Sequence, residues 1–334
     1  MRGVKATGVL MTLGGLVLLV VVVARVGVLE IAADVRQVGW GLIAIIAMGG
    51  LRFLLRALAW RLCLEPPHTL SVADAFAAVI CGDAIGNLTP LGPLVGEPAK
   101  AAFVRRRVAL GPAVTALAIE NVLYTLSAAA MIAAGMIALL ARFQLDPAIR
   151  GIGELAVGGT IVLFAAALWL LWRQPALISR ALGAAPRLRG QADRMRALEA
   201  QIYTFASRHT RALPALAAAE ITFHALGVAE VYLTLWLLNA PASFLTAFLF
   251  ESANRLITVV FKFVPLRLGV DEAGTAAFAR IVGLAAKTGL SVGIVRKVRV
   301  IFWAAAGALL LVREGLSLRT PPLPPLTEDQ IERS

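Results

Sequence analysis

The chain has 334 residues, of which 59% are hydrophobic and 16% charged, with a mean hydropathy of +0.82. A soluble domain is about 25% charged, so these figures exclude disorder, fibres, disulfide-rich secreted modules and an ordinary soluble enzyme, and they put the chain in a bilayer. The net charge of +12, from 32 Lys and Arg against 20 Asp and Glu, then reads as cytoplasmic loops and contact with anionic lipid rather than as nucleic-acid binding. Two cysteines, Cys63 and Cys81, supply no disulfide framework, and three histidines supply no ligand spacing, so no metal and no cofactor is expected.

In chain order, the first apolar element is the uncharged run of 19 residues from Ala6 to Ala24. It is long for a signal-peptide core and adequate for a retained span, with Arg2 and Lys5 on the cytoplasmic side. A second span covers about 38–64 and contains Arg52, Arg56 and Arg61. A third covers 112–141 with Glu120 and Asn121, and a fourth covers 155–172 without a charge. The fifth, about 213–238, contains Glu220, His224 and Glu230, and the sixth, about 289–312, contains Arg296, Lys297 and Arg299. Between the fourth and fifth, residues 173–211 carry Arg173, Arg180, Arg187, Arg189, Arg194, Arg196, Arg208 and Arg211 with few acids. The positive-inside rule places that loop in the cytoplasm, and counting spans from it places both termini there too. Its helical periodicity and arginines suggest a segment lying on the anionic leaflet. Residues 316–334 form a Pro-rich cytoplasmic tail.

Two segments do not fit simple spans. Residues 71–108 begin and end on the cytoplasmic side by charge, yet their interior is apolar and their centre, Asn87 to Glu97, is full of helix breakers. That pattern predicts a re-entrant hairpin: a half-helix in, a broken tip, a half-helix out. Non-helical backbone at membrane depth is tolerated only where it is buried in protein or lines a watery cavity, so the tip is a site candidate. Residues 243–288 repeat the pattern around Lys262 to Glu272, and by the span count they start and end outside. The two tips align without a gap. From Pro90 to Arg105, 8 of 16 positions are identical to Pro265 to Arg280, where chance would give roughly one or two. Each copy, about 38–141 and 213–312, has the order span, hairpin, span, and the hairpins enter from opposite sides. The fold class is therefore an all-α integral membrane protein with about six full transmembrane helices and two oppositely oriented re-entrant helical hairpins. Inverted repeats built on broken helices are the plan of secondary transporters.

The polar residues admit two uses each. Glu97, followed by Pro98, and Glu272 open the second half-helices, where an acid caps a helix; alternatively they titrate or hold a cation at depth. Arg296 and Arg299 share one face of the sixth span, with Lys297 on another, and Arg52 and Arg56 share a face of the second. With Lys100, Lys262 and Arg267 they form a basic set suited to phosphate, or else Arg296 and Arg299 pair internally with Glu120, Glu220 or Glu230 while Arg52, Arg56 and Arg61 snorkel. Glu220 and His224, four apart, make a proton relay with Glu120 and Glu230 or a structural pair. No Gly-x-Ser-x-Gly, P-loop or His-Glu-x-x-His motif is present.

Asn87-Leu-Thr-Pro90 followed by Gly96-Glu97-Pro-Ala-Lys100, and later Pro265 with Gly269-Val-Asp-Glu272, resemble the lysylphosphatidylglycerol synthase transmembrane-region family, also called flippase-like or UPF0104 proteins. The resemblance runs from about residue 8 to 315. The family includes the flippase half of the bacterial multiple peptide resistance factor, which moves aminoacylated phosphatidylglycerol between leaflets, and stand-alone members associated with hopanoid lipid synthesis. It implies lipid translocation and carries over to Asn87, Pro90, Glu97, Pro265 and Glu272 as tip residues. The family's first tip more often reads Gly-Gly-Glu; here it reads Val95-Gly96-Glu97. No soluble transferase domain is seen, so lysyl transfer is not expected. The expected function is a bacterial inner-membrane flippase for a lipid with an anionic or zwitterionic headgroup, held between the hairpin tips. The rivals are a membrane enzyme using Glu97, Glu272 and His224 as acid and base, and a scaffold for lipid-synthesis enzymes; a homo-oligomer is left open.

Overall fold

Ser71 and Ser243 each begin a helix of 17 residues, and each hydroxyl accepts a hydrogen bond from the backbone N–H three residues on. Those caps start the first arms of two helix-break-helix units. In the computed structural model, which describes residues 33, 36–89, 92–174, 176, 179–180 and 189–313, the helices are α1 (Gly41–Leu62), α2 (Val72–Leu88), α3 (Pro93–Phe103), α4 (Leu110–Arg142), α5 (Pro147–Arg173), α6 (Arg189–Arg208), α7 (Leu213–Leu237), α8 (Phe244–Val260), α9 (Val270–Ile281) and α10 (Ala286–Arg313). A single 3-10 turn, Pro265–Arg267, lies between α8 and α9, and no strand occurs among the described residues.

Four helices among the described residues are long and apolar enough to cross a membrane: Gly41–Leu62, Leu110–Arg142, Pro147–Leu170 and Leu213–Leu237. They are the second to fifth expected spans. The sixth is a helix of 28 residues, α10, whose buried Arg296 and Lys297 and neighbouring Arg299 set it apart from an ordinary lipid-facing span. The first expected span, the tail 316–334, Pro90 and Arg187 lie outside the described residues. The basic segment does form a helix, α6, but it is docked as well as amphipathic. Phe205 is buried against the core that holds Trp60, Val104 and Leu216.

The packing comes in matched pairs. As α1 lies on α2, α7 lies on α8; as α2 meets α3, α8 meets α9; and α3 meets α4 as α9 meets α10. Across the molecule, α10 packs on α2 and α4 packs on α8, while α1 and α7 pack on each other. Helix α5 stands apart, packed on α4, with Leu155, Val162 and Trp172 exposed as lipid-facing residues should be.

Two apolar cores result. One gathers α1, α2, α3 and the start of α4 around Trp60; the other gathers the end of α4 with α7, α8, α9 and α10 around Phe250. Helices α4 and α7 run from one core into the other. Where they cross, their apolar pattern is interrupted by Glu120, Asn121, Tyr124 and Ser127 on α4 and by Glu220, His224 and Glu230 on α7. Arg52 and Arg56 fall near the middle of α1, and Arg296 and Arg299 near the middle of α10. These ionisable residues thus share a polar layer inside four long helices, about 15 Å deep from Glu220 to Glu230 along α7.

Candidate functional site

At the centre of that layer two glutamates serve four arginines. Glu251 on α8, fully buried, accepts from Arg255 Nε at 2.9 Å, from Arg296 Nη2 at 2.7 Å and from Arg52 Nη2 at 3.5 Å. Glu230 on α7 accepts from Arg299 Nε at 2.9 Å and from Arg52 Nη1 at 3.4 Å, with Arg296 Nε 3.9 Å away. Gly227, one turn before Glu230, makes room for Glu251: a Cβ there would overlap its carboxylate. Arg52 and Arg255 also lie on the Phe223 ring, their guanidinium carbons 4.4 and 5.1 Å from its centroid. Four guanidiniums offer about twenty N–H donors, while two carboxylates offer about eight lone-pair sites. The cluster therefore has donors to spare, and Arg52 Nε is buried without a partner. Removing charges from water is costly unless each is paired, and here four buried guanidiniums share two carboxylates.

A second group joins this core through aromatic rings. Arg56 pairs with Glu120 at 2.6 Å, donates to Asn121 Oδ1 at 3.2 Å and stacks on Tyr124 at 3.9 Å. The Tyr124 hydroxyl accepts from Arg255 Nη1 at 3.2 Å. Asn121 donates to Glu97 Oε2 at 2.8 Å, and Lys100 donates to Glu97 Oε1 at 2.6 Å. The chain of polar contacts thus runs from the first hairpin to the arginine core without a gap.

The two tips touch. Gly92, whose φ of +46° suits glycine, sits so close to Lys262 that a Cβ would lie 2.8 Å from its carbonyl oxygen. Around the second tip, Lys297 Nζ on α10 donates to the carbonyls of Leu266 and Arg267, the latter at 3.3 Å, and to Asp271 Oδ2 at 2.9 Å, with Glu272 Oε1 at 3.5 Å. Leu266 and Arg267 hold φ of 50° and 47°, a conformation unusual outside glycine, and their carbonyls are the ones turned toward Lys297. Arg267 Nε in turn donates to Asp271 at 3.2 Å. In the first tip, Asn87 Nδ2 donates to Asp83 Oδ2 at 2.8 Å.

Several sequence expectations change here. Glu97 is not a helix cap: Gly92 precedes α3, Pro93 opens it, and Glu97 and Pro98 lie in its second turn. Glu272 is in the first turn of α9, after the cap Gly269. Glu97 turns to Asn121 on α4 and Glu272 to Lys297 on α10. Arg296 and Arg299 do pair internally, with Glu230 as foreseen and with Glu251, but not with Glu120 or Glu220. Arg52 and Arg56 do not snorkel; Arg52 is buried and Arg56 is held by Glu120. Lys100 and Arg267 are occupied by Glu97 and Asp271, and Lys262 is exposed, near the Phe263 ring and outside the cluster. Pro265 starts the 3-10 turn, where its fixed φ is suited to the bend.

Sequence reasoning passed over Glu251, Arg255, Asp271, Asp83 and Ser127. Glu251 and Arg255, four apart in an apolar helix, carried the signal that intramembrane ions give. Ser127 gave none, being one hydroxyl in an alanine-rich run.

No curated protein and no solved structure matches the chain. The family described as Lysylphosphatidylglycerol synthase TM region matches residues 6–307. A match over nearly the whole chain, on a helical bundle with four helices long and apolar enough to cross a membrane among the described residues, assigns the protein to that family: it is a multi-pass membrane protein of the lysylphosphatidylglycerol synthase transmembrane-region type, in contact with membrane lipid.

Proposed function

We propose that the protein moves a lipid with an anionic or zwitterionic headgroup between the leaflets of the bacterial inner membrane. The observation that carries this reading is the donor-rich cluster of Arg52, Arg255, Arg296 and Arg299 over only two glutamates. Guanidinium forks bind two phosphate oxygens at once, so a lipid phosphate entering the layer would take up the surplus donors. The acyl chains would remain in lipid. In this reading the two helix-break-helix units are re-entrant hairpins, residues 38–141 and 213–312 are repeats of opposite topology, six spans cross the membrane and both termini are cytoplasmic. The repeat of the tip sequence and the matched packing pairs support it. Transport rather than lysyl transfer is the proposed activity despite the family's name.

The test is translocation of a short-chain fluorescent phosphatidylglycerol in proteoliposomes, read by a membrane-impermeant quencher. Wild-type protein should accelerate translocation over empty vesicles, and Arg296→Gln or Arg299→Gln should lose most of that acceleration. Equal rates with and without protein would overturn the reading. Turnover of the labelled lipid by the purified protein would replace it with an enzyme.

A further inference from the structure

We infer that Glu220, Ser127 and His224 form a proton-loading site that is coupled to the arginine cluster through Phe223. The coupling rests on the headgroup reading above; the proton site itself does not. Glu220 and His224 sit four apart on α7 and are 7% and 8% exposed. Ser127 on α4 lies between them, donating to Glu220 Oε2 at 2.7 Å, with His224 Nε2 3.1 Å from the same hydroxyl. No Lys or Arg nitrogen among the described residues comes within ion-pair distance of Glu220, and His224 Nδ1 is buried without a partner. A buried acid with one neutral hydrogen bond is expensive to keep charged alone. A hydroxyl that both accepts and donates lets it share a proton with the imidazole.

The step balances. An imidazolium Nε2–H donates to Ser127 Oγ while Ser127 O–H donates to the Glu220 carboxylate. Passing both protons along leaves a neutral imidazole accepting from Ser127 and a Glu220 carboxylic acid donating to it. One proton makes the pair neutral overall, and a second makes it cationic.

The surroundings say how that second proton would be felt. From α1, Arg52 lies on the Phe223 ring and Arg56 on the Tyr124 ring, the two rings packed against His224. From α4 come Glu120 and Tyr124, whose ring lies parallel to the imidazole at 6.4 Å. From α8 come Glu251 and Arg255, and from α10 Arg296 and Arg299, these last held on Glu230 and Glu251. Phe223 meets His224 edge-on at 5.3 Å and carries Arg52 and Arg255 on its ring, so one ring separates the relay from the anion site. With the guanidiniums in surplus, a second proton is opposed while the cluster is empty and favoured once an anion fills it. Linkage makes this reciprocal: a loaded relay tightens anion binding.

The experiment uses the full chain in phosphatidylcholine nanodiscs, with short-chain phosphatidylglycerol as the probe and ring 15N spectra of its three histidines, His68, His209 and His224. Between about pH 8 and about pH 4, a range that spans both carboxylic-acid and imidazole titration, phosphatidylglycerol affinity should rise about tenfold in wild type and less than about twofold in His224→Gln. Glu220→Gln should move the His224 titration, and so should Ser127→Ala, which breaks the bridge without changing charge or the helix. A pH profile of binding that survives His224→Gln, or a His224 titration unmoved by both other variants, would overturn the site. If phosphatidylglycerol binds at no pH, the headgroup reading fails, and the response of His224 to Glu220→Gln and Ser127→Ala still decides the relay.

Discussion

The two hairpins carry the same sequence pattern but are held by different forces. In the first, glycine brings the arms into backbone contact: Gly82 and Gly86 on α2 face Gly92 and Gly96, and a Cβ on Gly96 would lie 2.6 Å from the Gly82 carbonyl oxygen. Its acid, Glu97, keeps a side chain that is 30% exposed. In the second, the arms meet through side chains, with Phe250 and Phe278 edge-to-face at 5.2 Å. There glycine serves the outer contact, as Gly289 and Gly293 let α10 press against α9, and the tip is held by an ammonium from α10. Its acid, Glu272, is 1% exposed. One hairpin is closed by packing and leaves its carboxylate, held by Lys100 and Asn121, partly exposed; the other is closed by ions and buries its carboxylates in the closure. A duplicated sequence thus does not imply duplicated roles.

The largest effect that separates them is expected at the lysines. Lys297→Met strands Glu272 and two carbonyls in a buried place and leaves Asp271 with Arg267 alone, and should cost about 3–5 kcal/mol of stability. Lys100→Met leaves behind Glu97, which is partly exposed and keeps Asn121, and Asp83 on α2, and should cost less than Lys297→Met, about 1–3 kcal/mol. Denaturation in detergent checks both, and equal losses would break the comparison. Next in size are the glycines. Gly96→Ala forces α2 and α3 apart and should destabilise by about 1–3 kcal/mol. Gly274→Ala meets only the flexible end of Ile257 and should cost less than about 1 kcal/mol. Measured melting temperatures in the opposite order would contradict this account of the arms.

The acids themselves sharpen the contrast. Glu272→Gln weakens a contact with a charged lysine and should lose about 1.5–3 kcal/mol of stability. Glu97→Gln keeps one acceptor, enough for Lys100 or Asn121 but not for both, on a partly exposed side chain, so it should lose less stability than Glu272→Gln and show its effect in the pH profile of transport. An unchanged profile in the double Gln variant would leave both acids structural. The smallest effect on stability, within about 0.5 kcal/mol, is expected from Leu94→Cys and Lys262→Cys at exposed positions beside the two tips. Their labelling by impermeant reagents should come from opposite faces of the membrane, against a low background because Cys63 and Cys81 are buried. Labelling of both from one face would disprove the inverted topology.

Much of this architecture was legible in the sequence because bilayers impose strong rules. The helix bounds of α1, α4, α7 and α10 fall within a few residues of the apolar runs, and both breaks fall where proline and glycine cluster. Partner choice was not legible. Apolar periodicity tells which residues leave the lipid, but not that Arg296 turns to Glu251 on another helix or that Lys297 reaches back to the tip carbonyls. Those pairings depend on how α10 crosses α8 and α9, which no local pattern encodes. The capping expectation for Glu97 failed for a related reason. Pro98 drew the helix start five residues too late, while Gly92 and Pro93 had already opened it.

The claim on which the rest depends is that the arginine layer receives a lipid phosphate. It is tested most directly by a cryo-EM reconstruction in nanodiscs rich in phosphatidylglycerol. Phosphate density within hydrogen-bonding distance of Arg52, Arg296 or Arg299, with at least one of them released from Glu230 or Glu251, is the predicted result. Lipid resolved only around the outer helices, with all four guanidiniums still closed on those two glutamates under every lipid condition, would contradict it.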